Sequence, residues 1–258
     1  MINPAGKTKS RKTIVVLSAA LVLLVVFALS LLIIPPAYER YELTHVKYPI
    51  YGGMTQELKE SGLYKDMQSG KSFCFLGDSI TAGTETEGIP WYQPLVPYIK
   101  GDISNLSRGG WMVSHLIEKS DEIPSSDIYV VAIGINDVVR PDIDNAAKAP
   151  AEYTEKISRL ADSIRRIKPG AKIYFIAPWA LAKKAKPYEE RCEQFRKALM
   201  EWCRENGCTC IDPNPVIYSV LKESGEDEYM QDSLHPNVPK GIGLYCYAVL
   251  KADVKPTI

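Results

Sequence analysis

The strongest constraint on the fold is an alternation of short apolar runs with segments of helical periodicity. Three runs, SFCFL, IYVVAI and KIYFIA, lie at residues 72–76, 128–133 and 172–177. Apolar side chains recur every three or four positions after the second run, at Tyr153, Ile157, Leu160, Ile164 and Ile167. Strands that are apolar throughout are buried on both faces, and strands that alternate with helices run parallel. The sequence therefore predicts an α/β fold, a three-layer α/β/α sandwich around a mainly parallel five-stranded sheet.

Two weaker apolar stretches complete the predicted sheet, at residues 103–106 and 208–211. Helices are predicted for five segments, at 91–99, 113–119, 153–167, 188–202 and 242–250. The first of these contains Pro94 and Pro97, so we expect it to be short or bent.

Polar clusters follow two of the predicted strands. Gly77-Asp78-Ser79 ends the first run, and Gly134-Ile135-Asn136-Asp137 follows IYVVAI. Ligands of open parallel sheets bind outside the carboxyl ends of the strands. These two clusters therefore predict a site at one rim of the sheet. The alternative for Ser79 is structural, a turn in which Asp78 or Ser79 caps the next helix.

A serine hydroxyl becomes a nucleophile only when a base takes its proton, and the base is most often histidine. The chain has three histidines, and His235 is the one with a nearby carboxylate, Asp232, three residues before it. Asp232 can orient one imidazole nitrogen and leave the other facing Ser79. A solvated Asp-His loop is the other interpretation of this segment.

Acyl transfer also needs hydrogen-bond donors for the developing oxyanion. Gly110 follows the second predicted strand, Asn136 offers a side-chain amide, and Ser79 offers its own N–H at a helix start. Taken singly, glycine pairs and Asn-Asp turns are usually structural.

The four blocks together, in this order and on these elements, closely resemble the SGNH/GDSL hydrolase superfamily over residues 71–251. The resemblance implies its flavodoxin-like fold, with Ser79 as nucleophile, His235 as base and Asp232 as the orienting acid. It also implies an oxyanion hole formed by Ser79, Gly110 and Asn136. The family's second block often has an earlier glycine, so Gly109 is an alternative to Gly110. Arg108 and Trp111 are candidates for lining the substrate pocket. The alternatives are a solvated charge for Arg108 and ordinary packing for Trp111.

The N-terminal region contains 22 residues without a charge, 13–34, preceded by four basic residues. Such a helix spans the hydrocarbon core of a bilayer, and the positive-inside rule places the N-terminus in the cytoplasm. We therefore expect a cytoplasmic basic tail at 1–12, a transmembrane anchor at 13–34, a stalk and leading helix at 35–70, and an extracytoplasmic SGNH domain at 71–258. A cleaved signal peptide and a buried soluble helix are the alternatives.

Charge and cysteine content restrict the classes of function that the chain can have. The 31 basic and 31 acidic residues balance, but four basic residues precede residue 13, so the remainder is net negative, which argues against a nucleic-acid binder. The six cysteines show no zinc-binding spacing, and no metal or organic cofactor is expected. They are interpreted as buried apolar residues, with one disulfide among Cys203, Cys208 and Cys210 as the alternative.

The functional hypothesis is a membrane-anchored serine esterase that cleaves a short-chain acyl ester through an acyl-enzyme on Ser79. Location and family resemblance suggest an O-acetyl group on a glycan as substrate. One alternative is an O-acetyltransferase that modifies a cell-surface polysaccharide. Another is a catalytically silent SGNH fold that binds glycan or organises a membrane complex.

Overall fold

The computed structural model describes residues 48–254. Five strands form one sheet in the order β2-β1-β3-β4-β5, and every neighbouring pair among them is parallel. The strands are β1 (Phe73–Gly77), β2 (Ile103–Ser107), β3 (Ile128–Ala132), β4 (Lys172–Ile176) and β5 (Thr209–Ile211). The five-stranded parallel sheet predicted from the apolar runs is confirmed.

The strands are connected by helices. The α-helices are α1 (Gly62–Met67), α2 (Ser79–Ala82), α3 (Val113–Glu118), α4 (Ile135–Val139), α5 (Pro150–Ile167), α6 (Glu189–Glu205), α7 (Asn214–Ser224) and α8 (Lys240–Ala252). Short 3-10 helices lie at Leu58–Glu60, Gln93–Tyr98, Ser120–Glu122, Lys183–Tyr188 and Glu226–Glu228.

Alternate residues of each strand face opposite sides of the sheet, and both sides are packed. Phe73 and Phe75 of β1 lie in one apolar cluster, together with residues of α1, α7 and α8. Cys74 and Leu76 lie in a second cluster, with residues of α3, α5 and α6. Helices therefore cover both faces of the sheet, which gives the predicted three layers.

The structure differs from the predicted elements where prolines oppose an α-helix and where a helix has no recognisable sequence signal. Residues Gln93–Tyr98 form a 3-10 helix with Pro97 inside it, because proline cannot donate the hydrogen bond that an α-helix needs. Helix α7 was not predicted, and it begins next to Pro213 and carries Pro215 in its first turn. Helices α2 and α4 have only four and five residues, which is too short to show periodicity.

The leading helix expected before residue 70 belongs to the packed unit. It is split at Ser61, which caps α1 by accepting a hydrogen bond from the N–H of Tyr64. Leu58, Leu63 and Met67 are fully buried in the cluster that also contains α8. The described part of this segment therefore helps to cover the sheet.

No helix within residues 48–254 is both long and apolar enough to cross a membrane. The expected anchor at 13–34, the basic tail at 1–12 and the first part of the stalk lie outside the described residues.

The six cysteines, all within the described part, are free thiols, and four of them are buried. The alternative of a disulfide among Cys203, Cys208 and Cys210 is therefore not what the structure shows.

Candidate active site

Ser79 is the first residue of α2, directly after β1. The buried side chain of Asp78 caps the helix, because its Oδ1 accepts a hydrogen bond from the N–H of Ile80 at 3.1 Å. A Cβ on Gly77 would come within 2.3 Å of the Thr81 Oγ1 and 2.5 Å of the Ala132 carbonyl oxygen. Only glycine fits between the strand and the helix here, and this close approach holds Ser79 at the carboxyl end of the sheet.

Complete burial of Asp78 raises the pKa of its carboxyl from 3.8 to about 7. The main cause is loss of hydration, which the hydrogen bond from Ile80 opposes in part and the nearby Asp137 reinforces. Asp78 thus serves as the helix cap, whereas a different carboxylate, Asp232, contacts the histidine.

Ser79, His235 and Asp232 form a continuous hydrogen-bonded chain. The Ser79 Oγ lies 2.9 Å from the His235 Nε2, although 156 residues separate them. The His235 Nδ1 lies 2.8 Å from the Asp232 Oδ2. The imidazole side chain is only 13% exposed, so it is held away from bulk water. The geometry brings together the three residues that the sequence singled out from two distant segments.

The other carboxylate oxygen of Asp232 fixes the loop that carries His235. Its Oδ1 accepts hydrogen bonds from the N–H groups of Leu234 at 2.7 Å and His235 at 2.8 Å. Partial burial of Asp232 by itself would raise its pKa. The backbone hydrogen bonds and the contact with the imidazole outweigh this effect and hold the pKa below its usual value. Asp232 is therefore a carboxylate at neutral pH.

A segment after β4, residues 182–184, brackets this loop from the other side. The N–H of Ala182 donates to the Ser233 carbonyl at 3.0 Å, and the N–H of Lys184 donates to the Ser233 Oγ at 3.2 Å. Lys183, between them, has a φ of +46°, a conformation that is uncommon outside glycine. Its N–H donates to the Glu226 carboxylate at 3.0 Å. The bracket was not foreseen from the sequence, because it joins segments about 50 residues apart through backbone groups.

Gly109 and Gly110 follow β2 and line the cleft beside Ser79. Gly110 has a φ of +76°, which favours glycine. A Cβ on Gly110 would also lie 3.3 Å from the Arg140 Nη1. Gly110 therefore leaves room for an arginine side chain.

Asn136 and Asp137, in α4, have separate functions in holding the site. The Asn136 Nδ2 donates to the Trp111 carbonyl at 2.9 Å, and the second hydrogen of this amide stays available. Asp137 is fully buried, and its two oxygens accept hydrogen bonds from the N–H groups of Val113 at 3.2 Å and Ala147 at 2.9 Å. Its burial raises the pKa of the carboxyl, and these hydrogen bonds oppose the rise. Asp137 thus ties the start of α3 and the segment before α5 to the helix that presents Asn136.

Arg191 of α6 supports the same short helix. Its guanidinium donates to the carbonyl groups of Val138 at 3.1 Å, Ala147 at 2.8 Å and Lys148 at 2.9 Å. The carbonyls at the end of a helix lack partners within it, and a cation there is favourable. No local sequence signal indicates this contact, which depends on how α6 packs against α4.

The cleft has a volume of about 320 Å³. Its lining consists of Ser79, Thr84, Glu85, Gly109, Gly110, Asn136, Arg140, Leu234 and His235. Arg108 and Trp111, the sequence candidates for the pocket wall, lie outside this lining. Arg108 is exposed, and Trp111 is partly buried against the cluster that contains α3. Arg140, four residues after Asn136, has the place that the sequence assigned to Arg108.

The arrangement joins a hydroxyl to an imidazole and the imidazole to a carboxylate, in a cleft that is also lined by two glycines and the amide of Asn136. These are the groups needed to attack a carbonyl and to stabilise the resulting oxyanion. Within residues 48–254, no group of three or more potential ligands is placed to hold a metal ion.

Comparison with known proteins agrees with this class of site. Residues 75–239 match the model of the GDSL-like lipase/acylhydrolase family, and the chain belongs to this family. It is therefore an ester-hydrolysing serine hydrolase. No curated protein gives a significant sequence match.

Solved structures share the fold at low sequence identity. A protein described as a GDSL-like lipase, from Parabacteroides merdae, is 18% identical with a TM-score of 0.62, over 72% of this chain and 97% of that one. A mutant of Axe2, an acetyl-xylooligosaccharide esterase from Geobacillus stearothermophilus, is 21% identical with a TM-score of 0.62, over 72% and 95%. LAE5, an α/β hydrolase enzyme from the Lake Arreo metagenome, is 20% identical with a TM-score of 0.59, over 74% and 98%.

Proposed function

We propose that Ser79 is the nucleophile of this esterase, with His235 as its general base and Asp232 as the group that orients the imidazole. The observation that carries the proposal is the pair of contacts at 2.9 Å and 2.8 Å that links the three side chains. The Asp232 carboxylate accepts a hydrogen bond from the His235 Nδ1–H, so the Nε2 lone pair faces the Ser79 hydroxyl.

In the first half-reaction, the Ser79 Oγ attacks the ester carbonyl as His235 takes the hydroxyl proton. The oxyanion is stabilised by the N–H of Ser79, the N–H of Gly110 and the amide of Asn136. A preorganised donor of this kind contributes roughly 3 to 4 kcal/mol to the transition state. Collapse of the intermediate transfers the proton from His235 to the alcohol, which leaves with the C–O bond broken and the acyl group on Ser79.

In the second half-reaction, His235 takes a proton from water, and the resulting hydroxide attacks the acyl-enzyme. The same donors stabilise the second oxyanion. The C–O bond to Ser79 then breaks, Ser79 regains its proton from His235, and the carboxylic acid leaves.

The acyl group that we propose is short. Leu234 is the one large apolar side chain among the residues lining the cleft, and the rest are polar, charged or glycine. Such a lining offers little apolar surface for a long acyl chain, which would gain about 0.8 kcal/mol for each buried CH₂ in an apolar pocket. An O-acetyl group on a glycan fits this polarity. The acetyl-xylooligosaccharide esterase activity of Axe2 supports the same class of substrate.

We also propose that residues 13–34 anchor the enzyme in a membrane, with the folded unit on the extracytoplasmic side. The support is the length of the uncharged run and the four basic residues before it. Protease treatment of intact and permeabilised cells that express the full chain tests this topology. We expect the protease to cleave the folded unit in intact cells. Protection of the folded unit until the cells are permeabilised would contradict the topology.

The mechanism is tested with the full chain and a panel of chromogenic esters with acyl groups from acetyl to decanoyl. We expect the highest kcat/KM for acetyl, a mass increase of one acyl group on Ser79, and a loss of about 10³-fold or more in Ser79→Ala. Unchanged activity in Ser79→Ala, or the acyl group on another residue, would contradict the proposal. A glycan acceptor added to the assay separates hydrolysis from transfer, because a transferase acylates the acceptor faster than it releases acid.

A further inference from the structure

Arg140 is placed by the same short helix that presents Asn136. The N–H of Arg140 donates to the Asn136 carbonyl at 3.1 Å, the spacing of one helical turn. Arg140 is the C-cap residue directly after α4, and this hydrogen bond holds its backbone close to Asn136. Both residues line the cleft.

The guanidinium of Arg140 has no hydrogen bond or salt bridge to any residue in the described range 48–254. This sets it apart from Arg191 and Arg196, whose guanidinium groups are each bonded to several carbonyl groups or side chains. Its Nη1 lies next to Gly110, 3.3 Å from the point where a Cβ would be. Arg140 thus presents unused donors and a positive charge beside the candidate oxyanion hole.

The cleft lining carries one charge of each sign, on Arg140 and on Glu85. These two side chains form no salt bridge with each other, so direct pairing does not neutralise the Arg140 charge. The planar guanidinium has five donors in a fork that matches the two oxygens of a carboxylate. A carboxylate on the substrate would satisfy these donors, whereas a neutral ester would leave them to water.

We propose that Arg140 selects substrates that carry a carboxylate near the scissile ester, such as an acylated acidic sugar. The inference depends on the proposed function and adds the charge of its substrate. The carboxylate can belong to the alcohol part of the ester or to the acyl part. Both present the same group to Arg140, and the experiment distinguishes them.

The test compares matched pairs of esters that differ in charge, with spontaneous hydrolysis subtracted. For the alcohol side the pair is 4-acetoxybenzoate and its neutral methyl ester. For the acyl side it is mono-4-nitrophenyl glutarate and 4-nitrophenyl pentanoate. We expect the full chain to have a higher kcat/KM, through a lower KM, on the anionic member of one pair. The pair that shows this preference identifies whether the carboxylate belongs to the alcohol part or to the acyl part of the ester. Added salt should reduce this preference, since it screens the charges.

Arg140→Gln should lower kcat/KM about tenfold on the preferred anion and less than twofold on its neutral partner. Arg140→Lys should keep part of the preference, because it keeps the charge and loses the fork. The control is Arg159→Gln, which removes the same charge from an exposed position on α5 outside the cleft lining and should change neither value.

No preference for an anion in either pair, or an equal loss on both members in Arg140→Gln, would overturn this inference. In that case hydrolysis that still depends on Ser79 would leave the proposed function standing. Absence of Ser79-dependent hydrolysis for every ester would overturn both proposals.

Discussion

The two halves of the candidate site are held by different kinds of structure. Ser79 follows β1, an interior strand of the sheet, and it is fixed by the close approach of Gly77 to β3 and by the buried cap of Asp78. His235 lies in an irregular segment between Glu226–Glu228 and α8, fixed by hydrogen bonds to Asp232. The serine side therefore depends on the packing of the sheet, whereas the histidine side depends on a few hydrogen bonds, within its own loop and to residues 182–184.

This difference predicts different consequences of substitution. A change beside Ser79 should lower the stability of the whole fold, because it disturbs the core. A change in the histidine loop should lower activity and leave global stability almost intact. Four variants test the distinction, from the largest expected effect to the smallest.

Asp232→Asn should lower kcat by about 10⁴-fold while the protein remains folded. An asparagine can still accept hydrogen bonds from the N–H groups of Leu234 and His235. Its NH₂ group would then face the His235 Nδ1 and favour the wrong tautomer. Steady-state kinetics and thermal unfolding measure the two effects. If the melting temperature of Asp232→Asn falls so far that unfolding explains the lost activity, Asp232 is mainly structural.

Gly77→Ala should have the opposite pattern, with a loss of about 3 kcal/mol in the free energy of unfolding. The added methyl group would collide with the Thr81 side chain and with the Ala132 carbonyl, which cannot move without disturbing β3. Urea denaturation measures the loss. Gly170→Ala is a control at a glycine with no atom within 4 Å, where only the positive φ is strained. Equal losses in the two variants would contradict the argument from close approach.

Asp78→Asn should change how stability depends on pH. The carboxyl has a pKa of about 7 in the folded protein and near 3.8 when unfolded. A raised pKa makes its contribution to stability complete below pH 3.8, and this contribution is lost as the pH rises through 7. Between pH 5 and pH 8 the wild type should therefore lose roughly 2 to 3 kcal/mol more than Asp78→Asn. Urea denaturation at both pH values measures this. Parallel pH profiles for the two proteins would show that Asp78 does not titrate in this range.

Ser233→Ala should lower kcat about threefold without a change in KM. Its hydroxyl accepts the hydrogen bond from Lys184 that steadies the loop next to Asp232. Ser233→Thr, which keeps the hydroxyl, should restore the rate. Ser219→Ala removes an exposed hydroxyl on α7 and should have no effect. A loss of kcat in Ser233→Thr equal to that in Ser233→Ala would argue against a positioning role.

The fold was predictable from the sequence where burial alone determines structure. The strands around Val130 and Phe175 are apolar on both faces, and α5 shows an uninterrupted apolar stripe. The short helices were not predictable, because four or five residues carry no period. The bent segment at Gln93–Tyr98 was expected from its prolines, although its 3-10 form was not.

The site was predictable to the extent that its residues follow strands. Ser79 lies two residues after the end of β1, Asn136 lies four residues after the end of β3, and Asp232 lies close to His235 in the chain. Arg140 could not be placed, because it caps a helix of only five residues, which leaves no periodic signal in the sequence. Arg191 contacts carbonyl groups more than 40 residues away, a relation that depends on the packing of α6 and leaves no trace in local sequence.

The strand order has a consequence for how this scaffold can acquire new specificities. The chain moves from β1 outward to β2 and then returns past β1 to β3. The connection that follows β1 and the connection that follows β3 therefore lead away from each other along the sheet. A crevice opens at such a reversal of winding whatever side chains are present. Lengthening or exchanging the connections at this crevice would reshape its walls and leave the hydrogen-bonded ladder beneath them untouched.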